Sequence, residues 1–325
     1  MRAVICSAFG APLEFGAFPA PVPGPGQVRI QVAAAGVNFA DSLMIAGQYQ
    51  ETMTPPFVPG MELSGTIVEL GAGADGFAIG QRVMATVTGG AFAEQAVADV
   101  ADVYHLPDAL DFVTAAGFPV AYGTSHLGLK VKAGLQPGET LVVHGAAGGV
   151  GLTAVEVGKA LGATVIATAG GEEKVKVALD HGADHGIDYK SQDIREQVKA
   201  LTGGRGADVI YDPVGGAVFD ASLRSIAPDG RILLIGFASG TVPQIPANIL
   251  LVKNVTVIGY YWGAYRTLKP ALLRASMQEV LDWWAAGRVR PHVSSALPLD
   301  QAAQAIAMLK GRAATGKVVL VTGAV

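Results

Sequence analysis

One cysteine, Cys6, is all that 325 residues contain. A lone thiol excludes an intrachain disulfide and the multi-cysteine clusters of structural zinc sites, and it suits a reducing compartment. Charge is sparse as well: charged residues make up 15% of the chain, and the formal net charge is −4. Like charges form no long block and no basic stripe interleaves with aromatics, so a nucleic-acid partner is not expected. Long apolar runs are missing too. Nothing approaches the roughly 18 apolar residues that a membrane-spanning helix needs. The opening stretch "MRAVICSAFGAPLEFG" lacks the apolar core and small-residue cleavage site of a signal peptide. A cytoplasmic protein with no membrane contact is expected, and the sequon Asn254-Val255-Thr256 then reads as an ordinary tripeptide.

What the chain has in abundance is glycine, 43 residues, and hydrophobic side chains, 50%. That composition suits large buried sheets, and the length suits about two domains. Up to about residue 117, short strand patterns such as "QVRIQVAAAGV", "SGTIVELG" and "AFAEQAVAD" alternate with Pro and Gly, which predicts a β-rich barrel or sandwich. From about residue 120 the rhythm becomes strand, glycine turn, helix. "TLVVHG" precedes a helix over 149–161, "ATVIAT" one over 172–181, "HGIDY" one over 192–201 and "ADVIYD" one near 217–226; "RILLIGF" and "VTVIGYY" follow. Six strands with helical crossovers predict an α/β fold with a doubly wound parallel sheet. Gly182 and Gly203 sit where helix C-caps are wanted, and Pro228-Asp229-Gly230 suits a turn before the fifth of these strands. Residues 270–287 form an amphipathic helix with Leu273, Met277, Val280, Leu281 and Trp284 at helical spacing; Trp283 and Trp284 read as core or interface anchors. The tail "TGKVVLVTGAV" is again a strand and suits the first domain.

The most informative stretch is "HGAAGGVG" at 144–151. Against the dinucleotide fingerprint G-x-G-x-x-G it gives Ala146-x-Gly148-x-x-Gly151, between a strand and a helix as the motif requires. Gly148 would let the backbone approach a pyrophosphate, Gly151 would let helix and strand pack closely, and the N–H groups of the helix start would hold the charge. About 20 residues on, where an acid would bind the ribose of NAD, the chain reads "TAGGEEK". Thr168 to Gly171 offer no acid and Lys174 could neutralise a 2′-phosphate, which favours NADP. Glu172 and Glu173 read as first-turn acids of the next helix.

"GETLVVHGAAGGVGLTAVEVGK", "GVNFAD" (36–41), "VPGMELSG" (58–65) and "VGG…SLRSIAPDGRILLIGFASG" resemble the zinc-free quinone oxidoreductase branch of the medium-chain dehydrogenase/reductase family. "PVAYGTSHLGL" and "IPANILLVKNVTVIGYYWGAY" resemble one subgroup of that branch, the quinone oxidoreductase-like proteins. Glu156 departs from the family, which usually has glutamine there. The resemblance implies a Rossmann-type NADP-binding domain at 119–260 inserted into a discontinuous GroES-like catalytic domain, 1–118 and 261–325, with the active site in the cleft between them. It further implies NADPH as cofactor and a homodimer pairing through the strand "VTVIGYY". By motif, Lys174 and Tyr189 would meet the 2′-phosphate. Gly148, Gly149 and Val150, with Ala147 beside them, would meet the pyrophosphate. Gly236 and Phe237 would meet the nicotinamide end, with Asn38 and Thr124 lining the nicotinamide pocket.

Zinc-dependent relatives carry Cys and His where this chain has Asn38 and Met61, so no metal is expected. His181 and His185 are four residues apart but separated by Gly182, and they read as two solvated loop histidines. Without a Lewis acid, an isolated carbonyl is a hard hydride acceptor because its alkoxide charge stays localised. Quinones and α,β-unsaturated ketones spread that charge, so the expected substrate is a small conjugated carbonyl compound, foremost a quinone. An open-chain enone, an enoyl thioester or NADPH binding without turnover are the rival readings; a thioester would want basic residues, and the nearby cluster Arg266, Lys269 and Arg274 reads by default as a solvated helix face. Candidate catalytic residues are Asn38 and Tyr49, the latter as proton donor or as a loop tyrosine. Asp41 reads as a buried carboxylate bridging backbone N–H groups, and Cys6 as a small buried hydrophobe. Tyr122 also belongs to the candidate pocket residues, and Tyr260, Tyr261 and Trp262 could either stack on a flat acceptor or lie at a dimer edge.

Overall fold

The computed structural model describes residues 1–323, and these form two compact units. Unit 1 comprises Met1–Val120 and the chain from Pro291 onward, and unit 2 comprises Ala121–Arg290. The last two residues of the tail strand pattern, Ala324 and Val325, lie outside the described residues.

Unit 1 opens with β1 (Arg2–Ile5), β2 (Glu14–Ala17) and the long β3 (Gln27–Val37), then α1 (Phe39–Ile45), β4 (Glu62–Leu70), β5 (Arg82–Thr86), β6 (Gln95–Asp99), β7 (Val103–His105) and α2 (Phe112–Ala116). The α2 N-terminus is set by Asp111, whose carboxylate accepts from Thr114 N–H. The next helix, α3 (Pro119–His126), carries the chain into unit 2.

Unit 2 alternates strand and helix: β8 (Thr140–His144), α4 (Gly149–Ala160), β9 (Thr164–Ala169), α5 (Glu172–Asp180), β10 (His185–Asp188), α6 (Ile194–Leu201), β11 (Ala207–Asp212), α7 (Ala217–Ser225), β12 (Ile226–Leu234), α8 (Ala247–Lys253) and β13 (Thr256–Gly259). The short α9 (Tyr265–Leu268) and the long α10 (Pro270–Ala285) complete it. The chain then returns to unit 1 with β14 (Val293–Pro298), α11 (Ala302–Lys310) and β15 (Lys317–Val321).

The six strands of unit 2 are parallel, in the order β10-β9-β8-β11-β12-β13. Helix-covered strands are buried on both faces, which is why Leu141, Val142 and Val143 of β8 and Val209 and Ile210 of β11 are continuous apolar runs without exposure. The chain winds outward from β8 through β9 and β10, then crosses back to β11 on the other side. The β8/β11 pair is therefore the topological switch point, where open α/β sheets bind ligands. In unit 1 a sheet in the order β14-β15-β3-β4-β5-β7, with β6 also on β3, encloses a second core of Val28, Ile30, Val32, Leu63 and Ile67. The tail strand β15 pairs antiparallel with β3, with Val318 opposite Val37.

Three sequence expectations shift. The return to unit 1 falls at 290/291 instead of 260/261 because α10 packs into unit 2, where His126 Nδ1 lies 2.7 Å from Ser276 Oγ and Lys130 Nζ 2.6 Å from Glu279 Oε2. On α10 the inward tryptophan is Trp283, which meets the His126 ring edge-on, whereas Trp284 is only half-buried. The turn at Pro228–Gly230 interrupts β12 instead of preceding it: Ala207 pairs with Ile226 and Val209 with Arg231, with Asp229 at φ 59°. Gly182 and Gly203 follow the α5 and α6 C-caps at φ 101° and 59°, as their positions suggest.

Candidate cofactor and active site

The turn after β8 is built from backbone. Gly145 takes the left-handed conformation (φ 58°), so the glycine that makes the sharp turn stands one place before the Ala146 of the fingerprint. A Cβ on Gly151 would lie 2.1 Å from the Gly145 carbonyl oxygen, so this position accepts no side chain. A Cβ on Gly148 would meet only Gly145 O, at 3.4 Å. The protein does not itself fill the space above Gly148. Gly148 is also the N-cap of α4 and brings no capping side chain, which leaves the first N–H groups of a 12-residue helix for a ligand. Gly236, beyond β12, is equally open: a Cβ there would meet only Pro213 O, at 3.6 Å.

Behind the loop lies a buried polar layer. His144, the last residue of β8, has Nδ1 3.0 Å from Thr168 Oγ1 and Nε2 2.9 Å from Ser222 Oγ, and burial lowers its pKa against the opposing pull of Asp212. Asp212 Oδ1 accepts from Val214 N–H and Gly215 N–H at 2.8 and 2.9 Å, which shapes the loop after β11. Ser125 donates to Val150 O at 3.0 Å, so the turn of α3 that carries Thr124 is tied to the first turn of α4. Beyond β9, Lys174 sits in the first turn of α5, and Tyr189 immediately follows β10. A Cβ on Gly170 would meet Tyr189 Oη at 2.6 Å, so the tyrosine lies directly on the glycine loop. Asp188 Oδ1 accepts from Gly171 N–H and Lys190 N–H, which holds that loop and lowers the carboxyl pKa, the Lys190 N–H most.

Thr124, Ala147, Gly148, Gly149, Val150, Lys174, Tyr189, Gly236 and Phe237 thus all belong to unit 2, and all but Thr124 stand just beyond the carboxyl ends of β8, β9, β10 and β12. A set of backbone N–H groups, a lysine and a tyrosine along that edge fits a dinucleotide phosphate chain. Trp262 turns inward, its ring so close to Gly123 that a Cβ there would lie 2.7 Å away, and Tyr260 packs on Gly128 and edge-on to Tyr265. Trp262 is buried, and Tyr260 is half-buried. His181 is not a solvated loop residue: its Nδ1 lies 2.6 Å from Glu156 Oε1, and buried Glu156 also accepts from Tyr122 Oη and Arg290 N–H. Tyr122 is accordingly a structural partner of Glu156, its pKa raised by burial and by that carboxylate.

Asn38 and Tyr49 belong to unit 1. Tyr49 packs against the small cluster of Cys6, Met44 and Phe57. Asn38 precedes α1 and is the centre of a network that no single stretch of sequence reveals. Its Oδ1 accepts from Lys317 Nζ at 2.7 Å and its Nδ2 donates to Glu62 Oε1 at 2.8 Å. Lys317 Nζ also donates to Glu62 Oε1 at 2.8 Å and Val37 O at 3.0 Å, and Glu62 Oε2 accepts from Val120 N–H at 2.8 Å. Space for this pair is reserved by glycine: a Cβ on Gly36 would meet Glu62 Oε1 at 2.5 Å, and one on Gly117 would meet the Lys317 stem at 3.0 Å. Asp41 accepts from a single backbone N–H, that of Asn38, at 2.7 Å, while its Oδ1 has no partner. Burial raises its pKa to about 7, against the pull of the Asn38 N–H and of Lys317. Among the described residues no group of three or more His, Cys, Asp or Glu side chains gathers around a metal position, and no helix is long and apolar enough to cross a membrane.

Comparison with known proteins fits this arrangement. The family model "Zinc-binding dehydrogenase" matches residues 149–284, and "Alcohol dehydrogenase GroES-like domain" matches residues 24–108. The chain is 43% identical to a quinone oxidoreductase-like protein 2 homolog of Nematostella vectensis, over 99% of this chain and 89% of that protein. It is 40% identical to quinone oxidoreductase-like protein 2 of Rattus norvegicus, over 98% of this chain and 91% of that one. The chain belongs to the quinone oxidoreductase branch of the medium-chain dehydrogenase/reductase family. Among solved structures it superposes on Escherichia coli quinone oxidoreductase complexed with NADPH, with a TM-score of 0.93 at 29% identity over 99% of this chain and 100% of that one. The molecule is an oxidoreductase of the NADPH:quinone oxidoreductase type, with a Rossmann-type unit and a GroES-like unit.

Proposed function

We propose that this member of the family reduces a conjugated carbonyl compound, most simply a quinone, and does so without zinc. The observation that carries the reading is the Lys317 ammonium, 2.7 Å from Asn38 Oδ1 and buried. Zinc-dependent relatives place a metal ligand at the position of Asn38; here a cation already sits there, and its charge opposes a divalent ion. The ammonium is paired with Glu62 and its three N–H donors are engaged on Val37 O, Asn38 Oδ1 and Glu62 Oε1, so it offers an isolated carbonyl no direct electrophilic help. An acceptor that spreads the incoming charge over a ring or an enone asks less of its surroundings.

The cofactor, when bound, supplies the hydride. The protein's part is to hold and shield it. Gly148, Gly149 and Val150, with Ala147, offer N–H groups to the pyrophosphate; Lys174 and Tyr189 take the 2′-phosphate; Thr124, Gly236 and Phe237 border the nicotinamide. Asn38 is the donor to the acceptor's developing oxyanion, and Tyr49 a second hydrogen-bonding group. We also read the protein as a cytoplasmic homodimer. The support is the edge strand β13 and its neighbourhood, where Leu251 and Val252 of α8 are exposed by 77% and 78%.

The test is NADPH oxidation by chelator-treated protein with a quinone, an acyclic enone and an enoyl thioester in parallel. Fastest turnover with the quinone supports the reading. Fastest turnover with the thioester would move the assignment to that substrate, and tight NADPH binding without any turnover would make it a binding protein.

A further inference from the structure

The Asn38 network is asymmetric in a way that a packing device need not be. An ammonium only donates, so the side-chain atom of Asn38 facing Lys317 is its oxygen and the atom facing the Glu62 carboxylate is its nitrogen. The amide orientation is thereby fixed from both ends. Lys317 uses all three N–H donors within unit 1, on Val37 O, Asn38 Oδ1 and Glu62 Oε1, and has none left with which to swing away. Both Glu62 oxygens are engaged, one by Lys317 and Asn38 and the other by Val120 N–H. One polar hydrogen of this ring remains unassigned, the second proton on Asn38 Nδ2. Asn38 also has the greatest exposure of the four, 9% against 6% for Lys317 and none for Glu62 and Asp41.

We infer that Lys317 is a positioning residue for hydride transfer: it holds the Asn38 carboxamide with its oxygen inward, so that the second Nδ2–H is presented to the acceptor's oxygen as that atom gains charge. The ammonium at Oδ1 does a second thing. It draws electron density from the amide, which makes the outward N–H a stronger donor than an ordinary asparagine supplies. Lys317 touches neither cofactor nor acceptor in this scheme; it acts only through Asn38. The inference rests on the role proposed above for Asn38. A pair that served merely to join β3, β4 and β15 would leave the chemical step alone once the fold was intact.

A double-mutant cycle separates the two. Lys317→Met keeps the stem and removes the donors. It is expected to lower kcat with a quinone by about 10- to 100-fold, part of the loss seen when an oxyanion donor is deleted outright, while the KM for NADPH stays within about twofold. In an Asn38→Ala background the same substitution is expected to cost nothing further, because its agent is already gone. An unchanged kcat in Lys317→Met, or an equal loss with and without Asn38, overturns the inference. If Lys317→Met does not fold, because Glu62 is left buried and unpaired, Glu62→Gln/Lys317→Met removes both charges and is read in the same way. If no variant folds, the wild-type protein decides by the NMR of its Asn38 side-chain amide. One slowly exchanging and one readily exchanging proton support the inference, and two averaged protons overturn it. Failure of wild-type turnover with any quinone would instead strike the functional reading, and the amide spectrum would still judge the positioning claim.

Discussion

The glycine loop of unit 2 and the Asn38 network of unit 1 solve opposite problems. The loop clears side chains away so that backbone N–H groups can meet a ligand, and each of its constraints lies within seven residues, from Gly145 to Gly151. The network packs side chains together so that one amide is held still, and its members come from three distant strands or strand ends: Asn38, Glu62 and Lys317. Binding a constant ligand needs a fixed backbone, which local sequence can encode. The amide of Asn38 is oriented by two charged groups from far apart in the chain, which must be buried together because either one left alone would be a costly unpaired charge.

The loop should be the more fragile of the two toward added atoms. Gly151→Val places a branched side chain where even a Cβ is 2.1 Å from Gly145 O, and the expected result is NADPH affinity weakened by about 100-fold or more, by fluorescence titration. The network should be the more fragile toward lost charge. Glu62→Ala strands Lys317 in the core and should cost about 3–5 kcal/mol in urea unfolding, whereas Lys317→Met with Glu62→Gln should cost clearly less.

A smaller effect sharpens the electrostatics of the loop side. Lys174→Ala should raise the Kd for NADPH roughly 10-fold, as befits one charge-assisted hydrogen bond, and leave the Kd for NADH unmoved. Equal losses for both cofactors would remove Lys174 from the 2′-phosphate.

The smallest effect opposes the units in their response to pH. Asp41 in unit 1 is protonated more readily in the fold than outside it, with a pKa raised to about 7. Its contribution to stability is complete below the usual carboxylate range and is lost as pH rises through about 7. His126 in unit 2 behaves in reverse. Burial lowers its pKa to about 4, so its contribution is complete above the usual histidine value and is lost as pH falls through about 4. Being uncharged at neutral pH, His126 is no ion-pair partner of Glu279 despite a separation of 3.3 Å; that role falls to Lys130. Asp41→Asn should therefore flatten the decline of the urea midpoint between pH 4 and 7, and His126→Gln should flatten its decline on the acid side.

How much of this is readable from the chain follows the same division. The parallel sheet and its helices are visible because apolar strands, glycine turns and amphipathic helices are each encoded locally, and "HGAAGGVG" announces its own geometry. The roles of Glu62 and Lys317 are hidden, although "VPGMELSG" and "TGKVVL" stand out as motifs, because 255 residues separate the two and only β15 pairing with β3 brings them together. His181 misleads for a related reason: the glycine beside it suggests a loop, while its partner Glu156 lies on another helix. Asp188 could have been noticed as the acid ending β10 just before Tyr189, a position from which a carboxylate reaches the neighbouring loop.

The most direct measurement is a single-turnover reaction of chelator-treated protein with a quinone and NADPH, protiated or deuterated at the transferring position of the nicotinamide, followed by loss of nicotinamide absorbance. Acceptor-dependent oxidation that deuteration slows by about 2-fold or more, because hydride transfer sets the rate, is the expected result. Oxidation that stops on chelation, or NADPH that binds tightly and is never consumed, would contradict zinc-free hydride transfer to a conjugated carbonyl.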